Sequence, residues 1–255
     1  MRKLLLLSCV TLAACVGEEA KHKAAGNIFF HNGDYPSAVR EYRAAIAAAP
    51  GDANGYTLLG NALFEQGSFD DARHAYADAL ARDAKAREAR RGLATVELRA
   101  NELAAARADF EKLVAQYPGD AEARAALGKL LLAQGDLDGA EAHLRQVLSH
   151  VGNDRGSLYC LGLTLARKKQ RAQALETFDR LEAETPGQPY APYGRAVVAA
   201  VEDRRDEALA QLGAALDRGI PDLDGVATDP AFSSLRSDPR FEALLQRARA
   251  RAGPQ

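Results

Sequence analysis

The chain has 255 residues, enough for one large domain or two smaller ones. Trp is absent, Met occurs once and alanine dominates the apolar set, which points to closely packed helices, because strands draw on branched and aromatic side chains. The formal charge is −2, from 33 basic and 35 acidic residues interspersed along the chain, so there is no basic stripe of the kind nucleic acid requires.

Arg2 and Lys3 open the chain with positive charge, and Leu4 to Leu12 follow as a largely apolar run, well short of the ~20 residues a membrane-spanning helix needs. The run ends in Leu12-Ala13-Ala14-Cys15, which resembles the lipobox of bacterial lipoproteins. The resemblance implies a cleaved leader over 1–14 and a lipidated tether over 15–18. Cys15 would carry an S-diacylglycerol and an N-acyl chain, and three chains together anchor a protein permanently. Val16, in place of the Asp that retains such proteins at the inner membrane, implies the outer membrane and its periplasmic face. Val16, Gly17 and Glu18 reach roughly 10 Å at ~3.5 Å per residue, which would hold whatever follows against the bilayer. Cys9 would leave with the leader. Cys160 then remains as a lone thiol inside a helical pattern, read as a small buried apolar residue.

From Glu19 the sequence repeats every 34 residues without a gap, in rows 19–52, 53–86, 87–120, 121–154, 155–188 and 189–222. Position 8 of the rows is Gly26, Gly60, Ala94, Gly128, Gly162 and Ala196, and position 20 is Ala in all six, from Ala38 to Ala208. Small residues there let two antiparallel helices approach closely. Position 24 (Tyr42, Tyr76, Phe110, Leu144, Phe178, Leu212) and position 27 (Ala45, Ala79, Leu113, Val147, Leu181, Ala215) lie one turn apart on one face and fill the gap to the next helix. Position 15 carries Gly33, Gly67, Asn101 and Gly135, residues able to take the left-handed conformation that closes a helix. Proline at position 32 (Pro50, Pro118, Pro186) ends the second helix. Position 17 is apolar in four rows and then Arg171 and Arg205.

Residues 223–255 leave the pattern. Asp229-Pro230 and Asp238-Pro239 predict two helix starts, and Phe241, Leu244, Leu245 and Ala248 form an apolar stripe at helical spacing. A solenoid exposes an apolar face at its last repeat, so this segment is expected to cap it. Arg247, Arg249 and Arg251 read as a solvated face.

The period and columns are those of the tetratricopeptide repeat, and the resemblance covers about 19–222. It implies an all-α solenoid, a right-handed superhelix of six helix-turn-helix repeats with C-terminal capping helices. It also implies a groove lined by positions 2, 5, 9, 12 and 13 of each first helix. Position 12 is Phe30, Phe64, Leu98 and Leu132, then Ala166 and Ala200, an apolar stripe suited to an amphipathic helix or extended peptide. Asn27 and Asn61 at position 9 flank it. Lys23 and Asn27 match two positions of the carboxylate clamp of chaperone-binding members, but Glu88 and Gly92 stand where that clamp is basic, which argues against a free carboxyl terminus as ligand. Tyr159, Tyr190 and Tyr193 form a second cluster, readable either as contact residues or as packing against the cap.

Catalytic signatures are missing: there is no HExxH, GxSxG or GxxxxGK and no paired-cysteine zinc spacing. The five histidines lie in different repeats or at least seven residues apart, so no metal, cofactor, small-molecule substrate or enzymatic activity is expected. A lipobox followed by six repeats and little else resembles the pilotin lipoproteins of type IV pilus secretins. That resemblance implies an assembly factor that binds secretin protomers and promotes their oligomerisation in the outer membrane, for pilus biogenesis and motility. The alternative is an outer-membrane scaffold for peptidoglycan or other envelope complexes.

Overall fold

The computed structural model describes the backbone of residues 2–252 and the side chains of 17–251, and no strand occurs among them. The leader and the Cys15 side chain expected from the sequence therefore lie outside the described side chains. Among the described residues no helix is long and apolar enough to cross a membrane.

Six helix pairs follow the 34-residue rows: α1 (Arg2–His31) with α2 (Tyr35–Ala48), α3 (Ala53–Glu65) with α4 (Phe69–Arg82), and α5 (Arg87–Arg99) with α6 (Leu103–Gln116). Then come α7 (Ala121–Gln134) with α8 (Leu137–Val151), α9 (Arg155–Arg167) with α10 (Arg171–Glu184), and α11 (Tyr190–Val201) with α12 (Arg205–Asp217). The chain divides into two compact units, Met1–Pro118 and Gly119–Gln255. In the first, α2 packs on α3 and α4 on α5; in the second, α8 packs on α9 and α10 on α11.

Several helix starts are set by aspartate. Asp34, Asp52, Asp136 and Asp154 stand just before α2, α3, α8 and α9, and their carboxylates accept from Ser37, Gly55, Gly139 and Ser157 backbone N–H groups at 2.7–3.1 Å. Helix ends are set by position 15. Gly33, Gly67 and Gly135 have φ of 77°, 86° and 81°, and Asn101 takes 59°. The last two rows keep the same turn with ordinary residues, Lys169 at 59° and Asp203 at 57°, although neither marks itself in the sequence.

The six position-20 alanines are all 0% exposed, and the position-24 rings and leucines above them are buried. The alanine lets the paired helix approach, and the ring then needs a gap on the facing helices. Glycine supplies it. A Cβ on Gly60 would stand 2.6 Å from the Tyr76 ring, and one on Gly92, at position 6 of the following repeat, 2.3 Å from it. Phe178 is held the same way between Gly162 and Gly194. At these two places the aromatic side chain is clamped by its own repeat and the next, which makes it a joint between repeats.

Arg171, at the usually apolar position 17, joins repeats differently. Its guanidinium meets Glu202 at 2.8 Å and Glu207 at 2.7 Å.

Beyond α12 the chain forms α13 (Leu223–Thr228), a 3₁₀ turn (Pro230–Leu235) and α14 (Pro239–Ala252). Both expected starts are present: Asp229 accepts from Ala231 N–H at 2.8 Å and Asp238 from Arg240 N–H at 2.9 Å. Phe241, Leu245 and Ala248 are buried with α14 against α12, and Phe232 and Leu235 are fully covered. The arginines beyond are exposed but paired: Arg247 and Arg251 meet Asp217 at 2.9 and 2.5 Å, and Arg249 meets Asp224 at 2.9 Å.

One buried group runs against this packing. Glu97 occupies position 11, where the neighbouring rows carry Phe29, Leu63, Leu131 and Leu165, and its Oε2 is buried without a hydrogen-bond partner. Burial, reinforced by nearby Asp109, pushes its carboxyl above the usual range. The folded-state value then exceeds the unfolded one, so Glu97 favours folding most below the unfolded value and loses that contribution as pH rises through the folded value.

Two outcomes are expected. Gly92→Ala drives a methyl into the Tyr76 ring and lowers unfolding free energy by about 1–3 kcal/mol, whereas Gly51→Ala, with nothing within 4 Å, leaves it nearly unchanged. Glu97→Leu raises stability by about 1–3 kcal/mol at neutral pH, with the gain shrinking toward pH 4. Urea unfolding followed by circular dichroism measures both.

Candidate functional site

In the first unit, α1 and α3 carry four of the expected groove residues. The two asparagines at position 9 have a role that was not legible from their type. Asn27 Oδ1 accepts from the Tyr42 hydroxyl at 2.7 Å, and Asn61 Oδ1 accepts from the Tyr76 hydroxyl at 2.8 Å. Each asparagine therefore satisfies the polar end of the clamped ring of its own repeat. Burial raises both tyrosine pKa values, Tyr76 strongly, so the hydroxyls remain donors. Asn27 is exposed and Asn61 half-buried, which leaves their amide N–H groups able to face a partner.

Phe30 and Phe64 are half-buried. They lie near the C-terminal ends of α1 and α3 and pack edge-on against Tyr35 and Phe69 across the turn, with ring centroids 5.6 and 5.4 Å apart. Arg99 stacks 5.9 Å from the Phe64 ring. Leu98 is likewise half-buried. In the second unit, Leu132 is buried at 6% exposure and offers little surface. Phe30 and Phe64 therefore share themselves between the surface and packing with position 17.

Lys23 is held by the carboxylates of Glu19 and Asp52. Burial alone would lower its pKa, but these two acceptors outweigh it and the ammonium stays charged above the usual lysine range. A cation already bound by two carboxylates is a poor receptor for a third, which agrees with the incomplete clamp motif.

The second unit holds the open concavities that the tyrosine cluster lines. Tyr159 on α9 and Tyr190 on α11 meet edge to face, 5.7 Å between centroids at 68°. On one side is a cavity of about 480 Å³ walled by Arg155, Leu181, Glu184, Pro186 and Gln188. On the other is one of about 280 Å³ walled by Tyr193, Ile220, Asp222 and Val226. Tyr193 does both things the sequence allowed: it lines the smaller cavity and packs on the cap. Its hydroxyl donates to Asp229 Oδ2 at 2.5 Å and its ring stands at 90° to Phe232. Burial and then the Asp229 carboxylate push the Tyr193 phenol well above its ordinary pKa, and burial does the same for Tyr159.

Ile220, Asp222 and Val226 escaped the sequence reading because they lie where the 34-residue register ends. Cys160 is buried, and burial raises its thiol above the usual value. Among the described residues no group of three or more His, Cys, Asp and Glu side chains could hold a metal ion.

Because Phe64 packs as well as points outward, Phe64→Asp is expected to cost about 2–3 kcal/mol of stability, while Phe64→Leu keeps most of the packing and costs about 1 kcal/mol. Thermal unfolding of the two variants checks this, and an equal loss in both would remove the packing role.

Comparison with known proteins comes to the same architecture. Tetratricopeptide-repeat family models match residues 26–67, 57–121 and 97–157. A tetratricopeptide repeat protein from Parabacteroides merdae is 18% identical, covers 94% of each chain and has a TM-score of 0.74. Pseudomonas aeruginosa PilF is 17% identical over 82% of this chain and 94% of its own, with a TM-score of 0.68. YrrB, described as a TPR protein with an unusual peptide-binding site, is 25% identical over 70% of this chain and 92% of its own, with a TM-score of 0.62. The likeness to the first two shows the fold alone. A comparison with the curated proteins finds no match. With the repeat models spanning the first four helix pairs and the fold shared along the chain, this is a tetratricopeptide-repeat protein, built as a scaffold for protein–protein interaction.

Proposed function

We propose that this chain is a lipid-anchored assembly factor of the pilotin type, which binds secretin protomers and promotes their oligomerisation in the outer membrane for type IV pilus biogenesis. The observation that carries the reading is the junction of two sequence features. Leu12-Ala13-Ala14-Cys15 stands only three residues before a protein-binding repeat array. Lipid on Cys15 would place the first repeat at the periplasmic face of the bilayer, where a membrane-inserting partner must be captured. The exposed Asn27 and the half-buried Phe30, Asn61, Phe64 and Leu98 are the surface for that partner in the first unit; Tyr159, Tyr190 and Tyr193 serve in the second, where Leu132 is buried. A shared fold with PilF supports the reading at the level of architecture. Capture of an exposed apolar segment would shield it from aggregation and concentrate protomers at the membrane.

Deleting the gene and running the outer-membrane secretin unboiled on a gel tests the proposal. Loss of the heat-stable oligomer with persistence of monomer is the expected outcome. An unchanged oligomer would sink the secretin reading and leave an envelope scaffold. Cys15→Ala is expected to shift the protein from the membrane to the soluble fraction, and continued membrane fractionation would remove the anchor.

A further inference from the structure

The smaller tyrosine cavity is lined by three aromatic rings and one carboxylate. Tyr159, Tyr190 and Tyr193 present three rings to about 280 Å³, with Asp222 at the rim and Ile220 and Val226 completing the wall. An aromatic face is negative at its centre, so rings set at large angles to one another make a box that attracts cations. Tyr159 and Tyr190 stand at 68°, and Tyr190 is 44% exposed. The Tyr193 ring is fixed from behind by its bond to the Asp229 carboxylate, which adds negative charge. The Asp222 carboxylate caps α13 by accepting from Gly225 N–H at 2.7 Å, which uses a lone pair and leaves the charge.

No cation lines this cavity. Arg167 lies near enough to act on Tyr159 and Tyr193, but its guanidinium donates to the Leu132 carbonyl at 3.2 Å. The adjoining larger cavity has both signs, with Arg155 and Glu184. Elsewhere the protein fills its own ring faces with guanidinium groups: Arg82 sits 3.7 Å from the Tyr56 centroid, Arg87 5.8 Å from Tyr117 and Arg99 5.9 Å from Phe64. None of these contacts among the described residues involves Tyr159, Tyr190 or Tyr193.

We propose that this cavity is an aromatic cage that takes the side chain of an arginine or lysine presented by the protein partner. Its volume suits one long cationic side chain, the apolar stem lying on Ile220 and Val226 and the charged head meeting the rings and Asp222. The proposal deepens the partner-binding reading of these residues and does not depend on the partner being a secretin.

The test uses the purified full chain and three small probes: N-acetyl-arginine methylamide, N-acetyl-lysine methylamide and the neutral N-acetyl-norleucine methylamide. Ring resonances of the tyrosines are followed by NMR during titration. The cationic amides are expected to shift Tyr159 and Tyr190 saturably, with dissociation constants in the ~millimolar range, and norleucine to bind roughly five-fold more weakly or worse. Tyr190→Leu keeps an apolar wall at an exposed position, and Asp222→Asn keeps the helix cap; each is expected to weaken the cationic probes about three-fold or more while leaving norleucine unchanged. Equal binding of norleucine, unchanged binding in both variants, or shifts confined to Tyr56 and Tyr117 would overturn the cage. Those outcomes would leave the secretin assay untouched, and loss of the secretin effect would leave the probe titration untouched.

Discussion

A ring wedged where no Cβ can stand joins the second repeat to the third and the fifth to the sixth. Tyr76 lies between Gly60 of its own repeat and Gly92 of the next, and Phe178 between Gly162 and Gly194. Each ring touches two helices of different repeats at sub-van der Waals reach of an added methyl, so the spacing and the order of three helices are fixed by one side chain. The fully covered alanine at position 20 makes this possible by bringing the ring-bearing helix close. Stability in such an array comes from within-repeat packing plus the interface to the next repeat, and the ring contributes to both. The hydroxyl of Tyr42 or Tyr76 would cost stability if left buried and unpaired; an asparagine at position 9 removes that cost.

The ion pairs between repeats act on a smaller scale. Arg73 reaches Glu102 with two hydrogen bonds of 2.6 and 2.9 Å, and Arg218 reaches both oxygens of Glu182 at 2.9 Å. These pairs are exposed, and exposed pairs contribute little, about 0–1 kcal/mol each. They set alignment at the rim of an interface whose free energy lies in the buried columns. Arg171 is the informative exception, because it stands at an ordinarily apolar position and meets two carboxylates at once. There the sequence substitutes charge for contact without disturbing the helix pair, since position 17 lies at the mouth of the turn and not in the ring column.

What could be read from the sequence divides along the same line. The period, the small positions, the ring column and the turn glycines are repeated features with one geometric solution, and helix bounds and burial follow them closely. Features that depend on a single partner were not legible in this way. Lys169 and Asp203 adopt the left-handed turn that the repeat requires at position 15, although neither residue type advertises it. Asn27 and Asn61 looked like groove donors because position 9 faces outward in such repeats; that a tyrosine hydroxyl fifteen residues on would claim their carbonyl oxygens required the pair to be seen together. Phe30 and Phe64 read as one stripe, yet each turns toward the position-17 ring of its own repeat. Glu97 was invisible as a buried carboxylate because a helix rich in Arg and Glu reads as solvated from composition alone.

The end of the array shows how covering an apolar face can also leave a concavity beside it. The last repeat needs a lid, and the segment after α12 supplies Phe232, Leu235, Phe241 and Leu245 to that end. Between α12 and that cover lie Ile220, Asp222 and Val226, which wall the smaller cavity beside Tyr190 and Tyr193 of α11. Tyr193 binds the lid through Asp229 and Phe232, and so its ring is held open toward Tyr159 and Tyr190 and does not collapse onto them. The concavity therefore lies where the capping segment meets α9 and α11, walled by residues of all three. Because Ile220, Asp222 and Val226 lie where the 34-residue period stops, the walls of this cavity are set by the tail as well as by the repeats, and the proposed cage depends on both.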